Sequence, residues 1–507
     1  MFKKLNEYLH IPKWLFALLV VVLILRIPSF FEPYSYGDEM IYLSLGEAIR
    51  RGIPLYSQIH DNKPPLLYIL AGIAGGLFWF KAILAIWHLA TVFLFWKLAE
   101  VLFPKKKPLH IISTIIFAIS TTIPHFEGNI ANAELFMIGP TIGAFLILLS
   151  PPNGASAKKL DFKKLFLSGI LFSISTLFKV PAAFDIPTII FLWLVLVKKL
   201  NLKNIKKIAV NTFYLSLGFL VPIALTFIWY GLRGAFSEYL IAAFLQNVGY
   251  LSSWRPDDVV EPFLVKNGPL LIRAGIVAFG FLILWWKRGK LSKQFIFLSA
   301  WLLLTLFAVA LSERPYPHYL IQSIPAVSLL FGMLFTFQNL EQSLTIIPLS
   351  LFFLVPVYFN FWHYPTAPYY IRFVKFATGQ MNREEYLSTF GGHINRNYKI
   401  ADYVIVSTKR EEKIFIWGSD SMIYALSRRL PPGKYLTNYH IHDFSSDEKT
   451  MDVLEKDKPF FIIILPNSPN LDGMDTLLMR NYGLVETIDG AQIWKLLGSK
   501  VRSLLSS

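Results

Sequence analysis

A chain of 507 residues that is 54% hydrophobic and only 16% charged is too apolar for a soluble protein, where about a quarter of residues carry charge. The net charge of +16 would suit a nucleic-acid partner, but much of the Lys and Arg lies in short loops between apolar segments. That is the pattern of cytoplasmic membrane loops, so no nucleic-acid partner is expected. The chain has no cysteine, which excludes disulfides and thiolate metal sites.

The first apolar run follows Met1-Phe2-Lys3-Lys4 and ends at Arg26-Ile27-Pro28. No small-residue cleavage site follows it, so it reads as an uncleaved first helix. Apolar segments of roughly spanning length lie at 14–30, 82–103, 109–124, 131–149, 165–180, 182–197, 209–230, 269–286, 294–311, 319–337 and 344–360. A further stretch, 64–80, is Gly-rich and ambiguous, with Lys81 alone before the next segment. Charge decides its role. If 64–80 does not cross, the Lys-rich loops at 105–107, 158–164, 198–207 and 287–293 share the side of the N-terminal lysines. If it crosses, that bias vanishes. The positive-inside rule therefore predicts eleven crossings, a cytoplasmic N-terminus and an external C-terminus. Short basic loops and the lack of a trafficking signal point to a bacterial plasma (inner) membrane. The same topology puts most loop acids outside, among them Asp38, Glu39, Asp61, Glu127 and Glu134. An active site is expected on that face.

The loop 231–268 mixes aromatic and acidic residues, including Trp254, Arg255, Asp257 and Asp258, and suits either a gate or a plain connector. Beyond residue 361 the composition changes. Short β-rich runs at 413–418, 434–437, 459–466 and 491–495 alternate with helix-like stretches at 420–429, 446–456 and 472–482. This predicts a small external α/β domain over 361–507 with a mostly parallel sheet, following a membrane catalytic domain over 1–360. Trp417-Gly418-Ser419-Asp420 reads as a strand-to-helix turn with Ser419 or Asp420 as the cap. No GxGxxG accompanies it. The one low-complexity run is the linker at 151–156.

The chemistry concentrates between residues 34 and 65, where Asp38, Glu39, His60, Asp61 and Lys63 crowd a membrane edge. Tyr36-Gly37-Asp38 starts a helix, with Tyr42, Leu45, Gly46 and Ile49 at helical spacing. Asp38 has two readings: a helix cap, or a general base whose pKa is raised by partial desolvation.

Gly37-Asp38-Glu39-x-x-Tyr42, Gly52-x-Pro54-x-Tyr56 and Asp61-x-Lys63-Pro64-Pro65 resemble the first external loop of the GT-C glycosyltransferases. The resemblance is stronger to the bacterial branch with protein O-mannosyltransferases and the lipid A aminoarabinose transferase. Asn129-Ile-Ala-Asn-Ala-Glu134, Phe178-Lys179-Val-Pro181 and Arg314-Pro-Tyr-Pro-His318-Tyr319 resemble later motifs of the same family. The resemblance implies a polytopic α-helical membrane protein and inverting transfer of a sugar from a polyprenyl-phosphate-linked donor. The acceptor, whether lipid, protein or envelope glycan, is left open. Carried onto this chain, Asp38 matches the catalytic acid and Glu39 assists it or binds acceptor. Lys63 matches the cation at the donor phosphate, where it would stabilise the leaving group. Arg314, His318 and Arg26 are further phosphate candidates, against a plainer reading as snorkelling or interfacial side chains. Tyr42, His60, Asp61, Glu134, Lys179 and Tyr319 are the remaining substrate-binding candidates.

No cofactor is called for. No Asp-x-Asp stands in an external loop, which argues against a strict metal requirement. A divalent cation held by His60 and Asp61 with Glu127 or His125 is an alternative, but scattered ligands without spacing are a poor metal signal. Other functions compete: an oligosaccharide ligase or polymerase on the same fold, a transporter or flippase of lipid-linked sugars, and a membrane sensor with an external α/β domain, which leaves the acid–base loop at 38–65 unexplained. The transporter reading fits less well, because the ionisable groups gather at one face and no two-half repeat is visible.

Overall fold

The computed structural model describes residues 11–150, 161–197, 199–249 and 262–498. Each of the eleven predicted apolar segments forms helix. Among the described residues, seven helical segments are long and apolar enough to cross a membrane: Lys13–Phe31, Leu77–Leu102, Leu202–Leu232, Gly268–Trp286, Lys293–Ala310, Pro317–Thr336 and Leu340–Tyr358. Shorter apolar helices, Lys107–Ser120, Ala133–Leu149 and Val180–Leu196, pack among them. The protein is thus a multi-pass membrane protein. Leu202–Leu232 and Gly268–Trp286 keep most of their apolar side chains on the outside, as helices facing lipid do. Lys293–Ala310 is mostly enclosed and forms the centre of the bundle. The linker at 151–156 and the middle of the predicted gate, with Trp254, Arg255, Asp257 and Asp258, lie outside the described residues.

The ambiguous stretch resolves into a short helix and a break. Leu66–Ala74 is nine residues long, about 13 Å, far short of the roughly 30 Å of hydrocarbon. Gly75 ends it in the left-handed region (φ 65°), and Leu77–Leu102 starts directly afterwards. Leu66–Ala74 lies against the helix Gly37–Arg50. There a Cβ on Gly46 would stand 2.5 Å from the backbone nitrogen of Gly72, so the two backbones meet this closely only because Gly46 carries no side chain.

The C-terminal sheet has four strands, β1 (Ile414–Trp417), β2 (Phe461–Ile464), β3 (Tyr482–Ile488) and β4 (Ala491–Leu496), in the order β1-β2-β4-β3. Only β1 and β2 run parallel, with Ile414 opposite Phe461; β4 is antiparallel to both of its neighbours. The sheet is therefore mixed, not mostly parallel. The difference comes from β3, which pairs with β4 through Asp489-Gly490 at φ 45° and 81°, a turn that favours a hairpin over a crossover. The run 434–437 is irregular, because the Lys434 carbonyl accepts the backbone N–H of His60 at 2.9 Å. The predicted helix 420–429 contracts to Met422–Ser427, capped at Ser421, while Asp420 accepts the Met422 N–H at 2.8 Å.

One face of this sheet (Ile414, Ile416, Phe461, Ile463 and Ile493) continues the core of the helical bundle. The other (Phe415, Trp417 and Ile462) covers a second core with Leu454 and Leu478. Polar contacts fix the docking. Arg410 reaches Glu47 at 2.6 Å, Arg428 donates to the Gly75 carbonyl at 3.0 Å, and Ser421 donates to the Gly37 carbonyl at 3.3 Å.

Candidate active site

The helix Gly37–Arg50 begins without a side-chain cap, so Asp38 does not cap it. Its carboxylate instead accepts the Tyr42 hydroxyl one turn on, at 2.8 Å, and stands 3.7 Å from the Lys63 ammonium. Lys63 is equally 3.7 Å from Asp61 and lies 5.1 Å from the Tyr42 ring centre. Two tyrosines hold the lysine's backbone. Tyr56, itself at φ 73°, donates its hydroxyl to the Lys63 carbonyl at 2.8 Å. Tyr68 accepts the Lys63 N–H at 3.1 Å and donates to Asp61 at 2.7 Å. Lys63 is thus placed before any substrate arrives.

The side chain of Asp38 is 35% exposed, whereas that of Asp61 is 2% exposed. Burial alone would raise Asp38. The Lys63 ammonium outweighs it, with His318 and the Tyr42 hydroxyl, and holds the carboxyl below the usual range. This reverses the expectation that desolvation raises its pKa. Asp61 is also buried, yet Lys63, His440, the Tyr68 hydroxyl and the Asn62 N–H bring it down to about 2. Asp61 is therefore a fixed anion that orients Lys63, and Asp38 is the open one.

A second cluster adjoins the first. His318 bonds Glu127 through Nδ1 and lies 3.8 Å from Glu134 through Nε2. Glu134 pairs with Lys179, whose ammonium sits 3.6 Å above the Tyr319 ring centre. Lys179 is within electrostatic reach of both Lys63 and Asp38. Lys179, Glu134 and Tyr319 also rim a cavity of about 470 Å³ lined by apolar residues, including Phe184, Leu271, Ala274, Phe307 and Val309. The structure therefore brings together Asp38, Tyr42, Asp61, Lys63, Glu134, Lys179, His318 and Tyr319.

Four predicted residues stand elsewhere. Glu39 turns inward: it accepts the Ala131 N–H at 2.7 Å and pairs with the buried Lys81 at 2.7 Å, which also holds Glu32 at 2.9 Å. Burial and the Glu32 carboxylate push Glu39 up to about 6 against the pull of Lys81. Arg26 is 1% exposed, so it does not snorkel; it donates to His88 at 3.3 Å and to the Thr121 carbonyl at 3.2 Å. Arg314 is exposed on the segment before His318. His60 packs between the rings of Tyr435 and Phe444, at 5.3 and 5.1 Å, and burial lowers it to about 4. The alternative cation set does not converge, because His125 packs on His363 and Glu127 is engaged by His318 and Tyr36. Among the described residues no group of three His, Asp or Glu side chains is spaced to hold a metal ion.

Several residues at the site were not among the sequence-predicted site residues. His440 and Tyr439 come from the sheet domain. His440 stands 3.8 Å from Asp61, and Tyr439 lies within electrostatic reach of Asp38, Asp61 and Lys63. Asn247, on the described part of the predicted gate, donates to the Asn62 carbonyl at 3.1 Å. Tyr36 donates to Glu127 at 2.8 Å. Their positions depend on docking between distant parts of the chain.

The bundle, the helix Gly37–Arg50 and the docked sheet domain together make up a fold shared with a solved structure over nearly the whole of both chains. ArnT from Cupriavidus metallidurans, solved with undecaprenyl phosphate, matches at a TM-score of 0.57 and 12% identity, covering 96% of this chain and 98% of its own. The archaeal oligosaccharyltransferase AglB from Archaeoglobus fulgidus, in complex with an inhibitory peptide and a dolichol-phosphate, matches at 0.45 and 14%, covering 89% and 69%. The mycobacterial arabinofuranosyltransferase AftD matches at 0.44 and 13%, covering 96% and 40%. No protein-family model and no curated protein matches the chain.

Proposed function

We propose that this protein is an inverting glycosyltransferase that moves a sugar from a polyprenyl-phosphate donor to an acceptor on the external face of a bacterial inner membrane. The N-terminus is cytoplasmic, and the sheet domain, within 361–507, is external. One observation carries the reading. An accessible carboxylate, Asp38, lies 3.7 Å from Lys63 and within electrostatic reach of Lys179, which rims an apolar cavity open to a lipid chain. The fold-mate ArnT was solved with a lipid of that class.

The donor phosphate binds between Lys63 and Lys179, with its first isoprene units in the apolar cavity. As it binds, the phosphate shares the Lys63 ammonium and weakens that ion pair to Asp38. Asp38 thereby becomes a stronger base in the loaded site than in the empty one. The acceptor hydroxyl gives its proton to Asp38, and its oxygen attacks the anomeric carbon from the face opposite the phosphate. The C–O bond to the phosphate breaks, and its electron pair leaves with the phosphate, stabilised by the two ammonium groups. His318 flanks this phosphate region through Glu134, which pairs with Lys179, and Tyr42 and Asp61 position the base and the cation. Glu39 ties the helix Gly37–Arg50 to Ala131 and Lys81 behind the site.

The test is donor turnover in proteoliposomes with a panel of polyprenyl-phosphate sugars, followed by mass spectrometry of the lipid fraction. Wild type consumes one donor, and Asp38→Asn slows this by about 10²–10⁴-fold while inserting and melting normally. Equal rates for the two proteins rule out Asp38 as the base, and passage of intact donor across the bilayer supports a flippase instead.

A further inference from the structure

A second cavity, of about 290 Å³, lies on the Glu127 side of His318, away from Lys179. Its lining includes Glu32, Tyr36, Glu127, Tyr364, Tyr369 and Arg372. The volume is at the lower end for small-molecule sites, which begin near 300 Å³. Among the described residues, two of its buried polar atoms have no hydrogen-bond partner: Glu127 Oε1 and Arg372 Nε. The rest of each side chain is firmly held. Glu127 is fully buried; its other oxygen accepts Tyr36 at 2.8 Å and Asn132 at 3.3 Å and bonds His318, and Tyr364 also hydrogen-bonds the carboxylate from the cavity wall. Arg372 lies 3.7 Å over the Phe390 ring and donates to the Thr389 carbonyl at 3.1 Å.

Orphaned buried groups of this kind are costly, and a native fold keeps few of them. Here one wants a donor and the other an acceptor. A hydroxyl supplies both roles, and a saccharide ring carries several. Tyrosine faces beside a carboxylate and a guanidinium form the usual mixed wall for such a ligand: apolar area for the ring's C–H face and fixed polar groups for its hydroxyls. Tyr36, which lines the cavity, lies within electrostatic reach of both Glu127 and Asp38 and so links the cavity to the first cluster.

We infer that this cavity is a subsite for an uncharged saccharide, which presents a hydroxyl to Asp38 as the acceptor. The inference rests on the transferase reading for the word acceptor, but not for the binding itself.

The test uses full-length protein in lipid nanodiscs and a panel of methyl hexopyranosides as probes, with saturation-transfer NMR as the readout. At least one glycoside binds wild type saturably. Glu127→Gln and Arg372→Lys each weaken it by about 10-fold or more, the usual effect of losing one hydrogen bond to a charged group. Both variants are required to melt like wild type; Tyr369→Phe replaces either one that does not. A structure with the bound glycoside places its hydroxyls on Glu127 Oε1 and Arg372 Nε. Absence of glycoside binding to wild type at the highest soluble concentration overturns the inference, and so does binding that these variants leave unchanged. Failure of the transferase reading looks different: glycoside binding persists while no polyprenyl-phosphate sugar is consumed.

Discussion

His440 of the sheet domain faces Asp61 of the first loop across 3.8 Å, Nε2 to Oδ1. Burial takes His440 below its usual pKa against the pull of Asp61, so the contact at neutral pH is mainly that of a neutral ring with a carboxylate. The sheet domain therefore meets the cluster of Asp38, Asp61 and Lys63 through a buried side chain. Asp61 in turn holds Lys63. Docking of the domain and placement of Lys63 meet at Asp61 in one structural event.

That event is pH-dependent with a defined sign. Asp61 is held at about 2 in the folded protein, against about 3.9 when unfolded. A depressed carboxyl stabilises the fold above its unfolded pKa and loses that contribution as pH falls through its folded pKa. The contribution, on the order of 2 kcal/mol, is full above about pH 4 and fades toward pH 2. Thermal melts in detergent should show wild type losing stability over that window more steeply than Asp61→Asn. Parallel curves for the two proteins would contradict the assignment.

Lys63 holds Asp38 down, so Lys63→Ala should let burial raise it. The acid limb of the rate profile of unloaded enzyme (kcat/KM) then moves to higher pH. The maximal rate also falls by about 10²-fold or more, because the leaving phosphate loses a positioned cation. A pH–rate series on both proteins separates these effects. An unchanged acid limb would show that Asp38 is governed by something other than Lys63.

Lys81 lies between two buried carboxylates, at 2.7 Å from Glu39 and 2.9 Å from Glu32. Lys81→Met should cost about 3–5 kcal/mol, since it leaves two buried acids without a counter-charge. Glu39→Gln should lower the melting temperature yet retain most of the turnover per folded molecule. Loss of turnover in Glu39→Gln at full stability would instead return Glu39 to the chemistry.

Ala274 lines the apolar cavity at the Lys179 end of the site. Ala274→Trp fills it. The expected result is a KM for long-chain donors raised by about 10-fold or more, with donors of one or two isoprene units affected little, since binding scales with buried apolar area. Equal effects on both chain lengths would place the lipid elsewhere.

The sequence alone determined the membrane class and the positions of the apolar helices, because a lipid-facing or bundle helix must be apolar along its length whatever surrounds it. It also marked Asp38, Asp61 and Lys63, which lie close together in one loop. It misjudged the sheet, where the Asp489-Gly490 signal for a hairpin went unused and 434–437 was read as a strand from its residue types alone. Only tertiary structure decided which acid is open and which is buried. Asp38 and Glu39 are adjacent, yet helical geometry turns them about 100° apart, one toward Lys63 and the other toward Lys81 in the core. His440, Glu127 and the apolar cavity likewise depend on folding, because their partners are brought close by packing and no local spacing records it.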